Sequence, residues 1–180
     1  VFAVEELSGE IIKSQIKAIF DDIEPAAVKI GMVSSPEIIM DIVNTMKKYN
    51  PSFLVVDPVM ISKSGYSLLK SEAKENLIKY LIPMAYLVTP NVPEAEEITG
   101  IKINSVTDMK VAGKKIFELG PKFVLVKGGH LDGEAVDVLI GENIFEVFET
   151  KRINRKNTHG TGCTISSAIT AYLALGYGIK

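Results

Sequence analysis

Three short apolar runs, each followed at once by polar residues or proline, constrain the fold of this chain more than any other feature of its sequence. The runs and their ends are Phe53-Leu54-Val55-Val56 before Asp57-Pro58, Ala85-Tyr86-Leu87-Val88 before Thr89-Pro90-Asn91, and Phe123-Val124-Leu125-Val126 before Lys127-Gly128-Gly129. A short apolar run bounded by turn signals is typical of a strand that is buried on both faces. We therefore predict three central strands, and each of them ends at a side chain capable of chemistry.

Segments with helical periodicity separate these strands. The first predicted helix follows a cap at Ser8 and ends near Pro25, and the second begins at Pro36 and has its apolar face over residues 38–46. Further helices are predicted over 71–81, 92–99 and 106–119, and a fourth strand over 26–31. Strands that alternate with helices predict an α/β domain whose sheet is mostly parallel and fully covered.

The end of the chain departs from this alternation. Residues 135–140 and 144–150, separated by Gly141-Glu142-Asn143, predict an antiparallel hairpin added to the edge of the sheet. The sequence contains no internal repeat and no low-complexity linker. We therefore expect residues 1–180 to form a single domain.

Composition narrows the class of function. Twenty basic residues stand against 22 acidic ones, and no basic run is longer than two, so a nucleic-acid partner is not expected. No apolar run approaches the roughly 18 residues that span a bilayer, so no membrane partner is expected either. A single cysteine excludes an internal disulfide. The expected location is cytoplasmic.

A stretch near the C-terminus has the composition of an anion site. The glycines of Gly160-Thr161-Gly162 precede Cys163 and a run of small or apolar residues at 164–175, which predicts a buried helix. Free amides and the helix dipole attract an anion such as phosphate at such a helix start. The same field lowers the pKa of a thiol, so we expect Cys163 to favour the thiolate.

Parallel topology predicts where the other polar side chains lie. Asp57, Asn91, Glu94 and Lys127 follow strands, and in a parallel sheet the carboxyl ends of the strands share one edge. Carboxylates can hold hydrated Mg²⁺, a lysine can neutralise phosphate oxygens, and amides can stabilise a group in transfer. We expect these side chains to join the Gly160 turn in a phosphoryl-transfer site.

Four motifs together resemble the hydroxymethylpyrimidine phosphate kinases, which belong to the ribokinase-like family. The motifs are Asp57-Pro58-Val59-Met60 with Ser62-Lys63-Ser64-Gly65, and the segments at 89–95, 124–130 and 157–167. They stand in the family's order and cover nearly the whole chain. The resemblance implies a three-layer α/β/α fold with helices on both faces of the sheet.

The resemblance also assigns roles to single residues. Gly160, Thr161, Gly162 and Cys163 match the family's anion hole, and Lys127 joins them as a catalytic residue. Cys163 falls where most ribokinase-like enzymes place an aspartate as general base, and a cysteine there is typical of the pyrimidine kinases.

Further positions match the family's binding sites for nucleotide, metal and substrate. The positions that match the nucleotide site are Asp57, Asn91, Glu94, Lys127 and Thr161. Asp57 and Glu94 also match the Mg²⁺ site, where they are expected to act through water. Met32, Val59 and Cys163 match the pyrimidine pocket. The implied activity is ATP-dependent phosphorylation of hydroxymethylpyrimidine and then of its monophosphate, with ATP and Mg²⁺ as cofactors. A homo-oligomer, as a dimer, is expected.

One family motif does not occur in the sequence. The glycine-rich Gly-x-Asp-x-x-Gly-Gly-Ala-Gly loop, with which the family begins, has no match here. The family also continues beyond the last predicted helix. We therefore expect these residues to be part of a longer enzyme that contains the rest of the substrate pocket.

Several alternatives stay open at this stage. A pyridoxal kinase would act on a similar hydroxymethylated ring, and a non-catalytic ligand-binding domain would keep the anion site without the chemistry. Zinc ligation by His159 and Cys163 is disfavoured, because two ligands do not make a site. A Cys-His pair for acyl transfer is disfavoured because neighbours on one turn rarely face each other.

Overall fold

The computed structural model describes residues 6–60, 68–129, 131, 133–153 and 160–180. The helices are α1 Gly9–Asp22, α2 Pro36–Tyr49, α3 Ser71–Asn76, α4 Val92–Thr99, α5 Val106–Phe117 and α6 Thr161–Ala174. The strands are β1 Val28–Ile30, β2 Leu54–Val56, β3 Leu87–Val88, β4 Phe123–Lys127, β5 Ala135–Gly141 and β6 Ile144–Thr150. The motif at 62–65, together with His130 and His159, lies outside the described residues.

The sheet has six strands in the order of the sequence, from β1 at one edge to β6 at the other. The first four strands are parallel, and β5 and β6 are antiparallel to their neighbours. This confirms the predicted α/β class, the mostly parallel sheet and the edge hairpin. Because successive strands always advance in one direction, right-handed crossovers place the connecting helices on the same face.

That face contains the larger core. Side chains of α2 and α5, such as Ile39, Met46 and Ile116, are fully or almost fully buried against strand residues such as Val56 and Val126. The apolar face predicted for the second helix is therefore confirmed. Such burial supplies most of the free energy that holds helices on a sheet.

The opposite face is covered by α6. Leu173 of this helix packs with Val55, Leu87 and Leu125 in a smaller core. The prediction that this helix is buried was wrong, because its buried residues are only Ser166, Thr170 and Leu173. The composition of the segment does not distinguish its buried face from its exposed face, since exposed positions such as Tyr172 and Leu175 are also apolar.

Capping residues set the helix starts as the sequence predicted. Ser8 accepts a hydrogen bond from the Ile11 amide, and Ser35 accepts one from the Ile38 amide. The third helix differs from the prediction, because only Ser71–Asn76 is regular and the chain continues as a wider π turn over Leu77–Leu81.

None of the helices in the described part of the chain combines the length and the apolar character that a membrane crossing requires.

Candidate functional site

The carboxyl ends of the parallel strands meet at one edge of the sheet, beside the start of α6. Asp57 follows β2, Lys127 ends β4, and Asn91 pairs with Lys127 in an isolated parallel bridge. A β-carbon placed on Gly162 would lie 3.3 Å from Lys127 Nζ, so the first turn of α6 reaches the same point. The structure thus brings together the residues that the sequence placed at this edge.

A buried ion pair forms the centre of the site. Lys127 Nζ donates a hydrogen bond of 2.9 Å to Asp57 Oδ1, and the two side chains are only 11% and 2% exposed. Thr89 Oγ1 donates to the same oxygen, and Ser166 Oγ donates to Oδ2, each at 3.2 Å. Burial raises the pKa of Asp57, but the charge and hydrogen bond of Lys127, the charge of Lys29 and a hydrogen bond from Cys163 together outweigh it, and the pKa lies below its ordinary value. Asp57 is therefore an ionised carboxylate with partners on both oxygens.

This pair changes the interpretation of Lys127. The sequence indicated that an ammonium at the end of an apolar strand needs an anion nearby, and Asp57 supplies that anion from within the protein. A lysine has three hydrogens to donate, and one of them goes to Asp57. A phosphate oxygen would be a second partner for the same ammonium.

Glu94 and Asn91 form a capping box at the start of α4. Asn91 Oδ1 accepts from the Glu94 amide at 2.9 Å, and Glu94 Oε2 accepts from the Asn91 amide at 2.8 Å. The Glu94 side chain is buried, with only 3% of the residue exposed. Burial raises the pKa of Glu94 to about 7, although hydrogen bonds from backbone amides and the Lys127 charge oppose the rise.

Glu94 and Asp57 also provide the chemistry for a cation. Among the described residues, no three His, Cys, Asp or Glu side chains are grouped closely enough to hold a metal ion. Both oxygens of Asp57 already accept hydrogen bonds from the protein. Because Asp57 is already hydrogen-bonded, the two carboxylates suit a hydrated Mg²⁺ that they contact through water. This ion keeps its water ligands, since it dehydrates reluctantly.

The turn before α6 has the shape expected of an anion site. Gly160 adopts a left-handed conformation with φ of 79°, and no side chain caps the helix. The Thr164 amide makes the first bond of the helix, to the Gly160 carbonyl, at 2.8 Å. The amides of Gly162 and Cys163 lie before that bond, at the positive end of the helix dipole, where they can donate to an anion.

The protonation state predicted for Cys163 was wrong. Although the residue is exposed, neighbouring atoms partly desolvate the thiol and raise its pKa, and the negative charge of Asp57 beside it raises that pKa further. The thiol donates a hydrogen bond toward Asp57, which helps to keep the pKa of that carboxylate low. A full negative charge in contact with the thiol outweighs the partial positive charge of the helix start. Cys163 is therefore a thiol in the free protein.

Met32 and Val59 lie at the same edge of the sheet. Met32 comes shortly after β1 and is 45% exposed, while Val59 comes shortly after β2 and is half-buried. The Val59 amide donates to the Asp57 carbonyl at 2.8 Å, so the turn that presents Val59 also presents the ion pair. Their position suits a substrate beside the anion site, and their contact with a pyrimidine stays a prediction.

Sequence reasoning missed three side chains of the site. Lys29 Nζ lies 3.8 Å from Asp57 Oδ2, Ser166 binds the same carboxylate, and Asp137 Oδ1 accepts from the Gly128 amide at 3.0 Å. Lys29 carried a signal, because it is a charged residue inside the short apolar run predicted as a strand over 26–31. Ser166 carried a weaker one, since it stands one helical turn after Cys163 on the same face.

Comparison with known proteins places this geometry among phosphate-transferring enzymes. The model of a family described as phosphomethylpyrimidine kinase matches residues 1–180. A hydroxymethylpyrimidine/phosphomethylpyrimidine kinase from Bacillus subtilis is 41% identical, and the match covers 99% of this chain and 67% of that protein.

Solved structures are similar over the same region. A phosphomethylpyrimidine kinase from Clostridium difficile is 70% identical, with a TM-score of 0.89 over 99% of this chain and 73% of that one. An ADP complex of a Bacillus subtilis pyridoxal kinase is 36% identical, with a TM-score of 0.90 over 98% of this chain and 66% of that one. The chain thus spans about two thirds to three quarters of the length of these relatives.

The buried carboxyl group of Glu94 predicts a pH dependence of stability. Its pKa is about 7 in the folded protein against an ordinary value of 4.5, so the folded state keeps a proton that the unfolded state loses across this window. Stability is therefore greatest below the lower value and falls as the pH rises through the window, by roughly 3 kcal/mol in total. Urea unfolding of wild type and Glu94→Gln from about pH 5 to about pH 8 measures it.

Glu94→Gln should lose this part of the pH dependence, because an amide does not titrate. Glu97→Gln is the matched control, since Glu97 lies on the same helix but is exposed and paired with Lys74. Parallel pH profiles for wild type and Glu94→Gln would contradict the assignment.

Proposed function

The chain belongs to the phosphomethylpyrimidine kinase family, and on this premise we propose that its protein phosphorylates hydroxymethylpyrimidine and then the monophosphate, for thiamine biosynthesis. The substrate is 4-amino-5-hydroxymethyl-2-methylpyrimidine, and ATP is the phosphoryl donor. One observation carries the proposal. The Lys127 ammonium lies against the glycine turn of α6, 3.3 Å from the place where a β-carbon of Gly162 would be.

This contact supports a site for the transferred phosphoryl group. The absence of a side chain on Gly162 lets a phosphate oxygen approach the backbone amides closely. Lys127 and these amides then face the same charge from two sides. Phosphoryl transfer passes through a loose transition state with charge on the equatorial oxygens, so positioned positive groups provide most of the catalysis.

The chemical step is a displacement at the γ-phosphorus. The hydroxymethyl oxygen forms a bond to that phosphorus, and the bond to the β-phosphate bridging oxygen breaks, so ADP leaves with the electron pair. The alcohol proton passes to the Cys163 sulfur, which accepts it as a thiolate. In the second round an oxygen of the monophosphate attacks in the same way, and no alcohol proton needs to be removed.

Asp57 restrains Cys163 in this scheme. The carboxylate favours the thiol in the free protein, so only a minority of molecules hold the thiolate at neutral pH. A basic thiolate is a strong proton acceptor once it forms, and it lies next to the anion site. Because the thiolate is scarce at neutral pH, the rate of phosphorylation of the alcohol should rise as the pH becomes more alkaline.

Asp57 and Glu94 would hold a hydrated Mg²⁺ through water, and the ion would supply positive charge to offset that of the phosphates. Asn91 presents Glu94 through the capping box, and the Asn91 bridge to Lys127 keeps both at one edge. Met32 and Val59 would contact the pyrimidine ring beside this edge. A cytoplasmic location, expected from the composition, and a homodimer are part of the proposal.

A pyridoxal kinase is the second candidate, because the structural similarity to a pyridoxal kinase extends over 98% of this chain. Its substrate also carries a hydroxymethyl group on an aromatic ring that contains nitrogen. The lower identity of 36%, against 70% for the phosphomethylpyrimidine kinase, favours the pyrimidine.

Steady-state assays of the complete protein separate these candidates. We expect MgATP to be consumed with hydroxymethylpyrimidine and with its monophosphate, and the kcat/KM for pyridoxal to be lower than for the pyrimidine. A preference for pyridoxal would overturn the choice of substrate. Nucleotide binding without turnover of any of the three would instead establish a non-catalytic domain.

Replacement of Cys163 tests the proton acceptor. Cys163→Ala should lower kcat for the hydroxymethyl substrate about 100-fold, because the general base is lost, while the KM for MgATP changes little. The wild-type rate should still be rising at the ordinary thiol pKa of 9.0, since the pKa of Cys163 is raised. Cys163→Asp should reach its plateau at a much lower pH.

Ser167→Ala is the control, because Ser167 lies on the same helix and is exposed. Phosphorylation of the monophosphate should suffer less than that of the alcohol in Cys163→Ala. Equal turnover of Cys163→Ala and wild type on the alcohol would remove Cys163 from the mechanism.

A further inference from the structure

The guanidinium of Arg152, just after β6, binds the carbonyls of a loop. Its Nη1 donates to the Gly129 carbonyl at 2.8 Å, and its Nε donates to the Gly133 carbonyl at 2.6 Å. Its Nη2 donates to the carbonyls of Leu131 and Glu134. A guanidinium has five N–H donors in a rigid fork, and this fork is directed at four carbonyls of one short segment.

The main chain of Arg152 contacts the same loop. Its amide donates to Glu134 Oε2 at 2.9 Å, so the residue is fixed to the loop by both backbone and side chain. Gly133 has a φ of 90°, a conformation that glycine adopts without strain, and its carbonyl accepts from Arg152 Nε. These contacts define the Arg152 clamp, which consists of Arg152 and the carbonyls that it binds.

The loop held by this clamp begins at the catalytic lysine. Directly after Lys127, the Gly128 amide donates to Asp137 Oδ1 of β5 at 3.0 Å. A β-carbon on Gly128 would lie 2.0 Å from the Val136 carbonyl oxygen, so the backbone is pressed against β5. Asp137 thus fixes the first residue of the loop, and Arg152 fixes the residues that follow.

The place of Arg152 in the fold gives the clamp its second attachment. Arg152 comes two residues after Thr150, the last residue of β6. The loop after Lys127 is therefore joined to the end of the hairpin by one side chain.

We propose that Arg152 is a positioning residue that holds the loop after Lys127 against the end of the hairpin, so that Lys127 and this loop keep the geometry that nucleotide binding requires. The inference rests on the proposed kinase function for its effect on catalysis. The guanidinium donors of Arg152 are directed at loop carbonyls, so the residue acts through the loop. Loss of this restraint misplaces the loop beside Lys127, which costs affinity and rate without removing Lys127 itself.

Arg152→Ala and Arg152→Lys in the complete protein test this role. We expect Arg152→Ala to weaken MgADP binding and to lower kcat/KM for MgATP, each about tenfold, as misplacement of groups far from the chemistry does. Arg152→Lys should recover little, because an ammonium cannot bind several carbonyls in a fork. Added guanidinium should restore part of the activity of Arg152→Ala, while added ammonium should not.

Lys151→Ala is the matched control, since Lys151 is an exposed neighbouring cation. Amide hydrogen exchange without substrate provides a readout independent of catalysis. The amides of Gly128 and Leu131, which bind Asp137 and the Gly128 carbonyl, should exchange faster in Arg152→Ala than in Lys151→Ala. Equal exchange, or faster exchange with unchanged MgADP affinity, would overturn the inference.

The two proposals fail in different ways. A wild-type protein that binds MgADP but phosphorylates none of the substrates would contradict the proposed function. The ratio of the MgADP affinities of Arg152→Ala and wild type would still test the role of Arg152. Wild-type kinase activity that Arg152→Ala retains in full would contradict the role of Arg152 alone. Wild-type protein that binds no MgADP would overturn both.

Discussion

The buried pair between Asp57 and Lys127 is the interaction on which the site depends. It joins β2 to β4 across the end of β3, which lies between them, and Thr89 from the end of β3 donates to the same carboxylate. Ser166 adds α6 from the opposite face of the sheet. One carboxylate thus connects three strands and the helix that carries the glycine turn. Removal of either charge would leave the other buried without its main counter-charge, which is far more costly than loss of the whole pair.

The pair also explains how a lysine is available at the end of an apolar strand. Without Asp57 the buried ammonium would face a heavy desolvation penalty with no anion to offset it. With Asp57 as a partner, it still has hydrogens to donate to a second anion. The same carboxylate adds to desolvation in raising the pKa of the Cys163 thiol. The negative charge of Asp57 therefore stabilises the Lys127 ammonium and disfavours the thiolate of Cys163.

Much of the fold followed from local sequence signals. The apolar runs that end at Asp57 and Lys127 predicted the central strands, and the serines before Gly9 and Pro36 predicted the helix starts. Parallel topology then placed the polar strand ends together. What failed depended on neighbours distant in sequence. The thiol state of Cys163 was set by a carboxylate more than a hundred residues away, and the exposed face of α6 has the same composition as its buried face.

The hairpin also shows that local sequence patterns do not reveal contacts between distant residues. Two runs separated by Gly141-Glu142-Asn143 predicted two antiparallel strands, which the register of Ala135–Gly141 with Ile144–Thr150 confirms. Asp137 is the only polar side chain of its strand, but nothing in the sequence indicated which group it binds. Its role appears only when the antiparallel register sets it opposite Lys127. A surface arginine likewise gives no local sign that its partners are carbonyls of a single loop.

A crystal structure of the complete protein with Mg²⁺, hydroxymethylpyrimidine and a non-hydrolysable ATP analogue tests the central claim most directly. The account predicts that the terminal phosphate lies within hydrogen-bond distance of Lys127 Nζ and of the amides of Gly162 and Cys163, while Lys127 still contacts Asp57. A terminal phosphate bound elsewhere, with Lys127 paired to Asp57 alone, would contradict it.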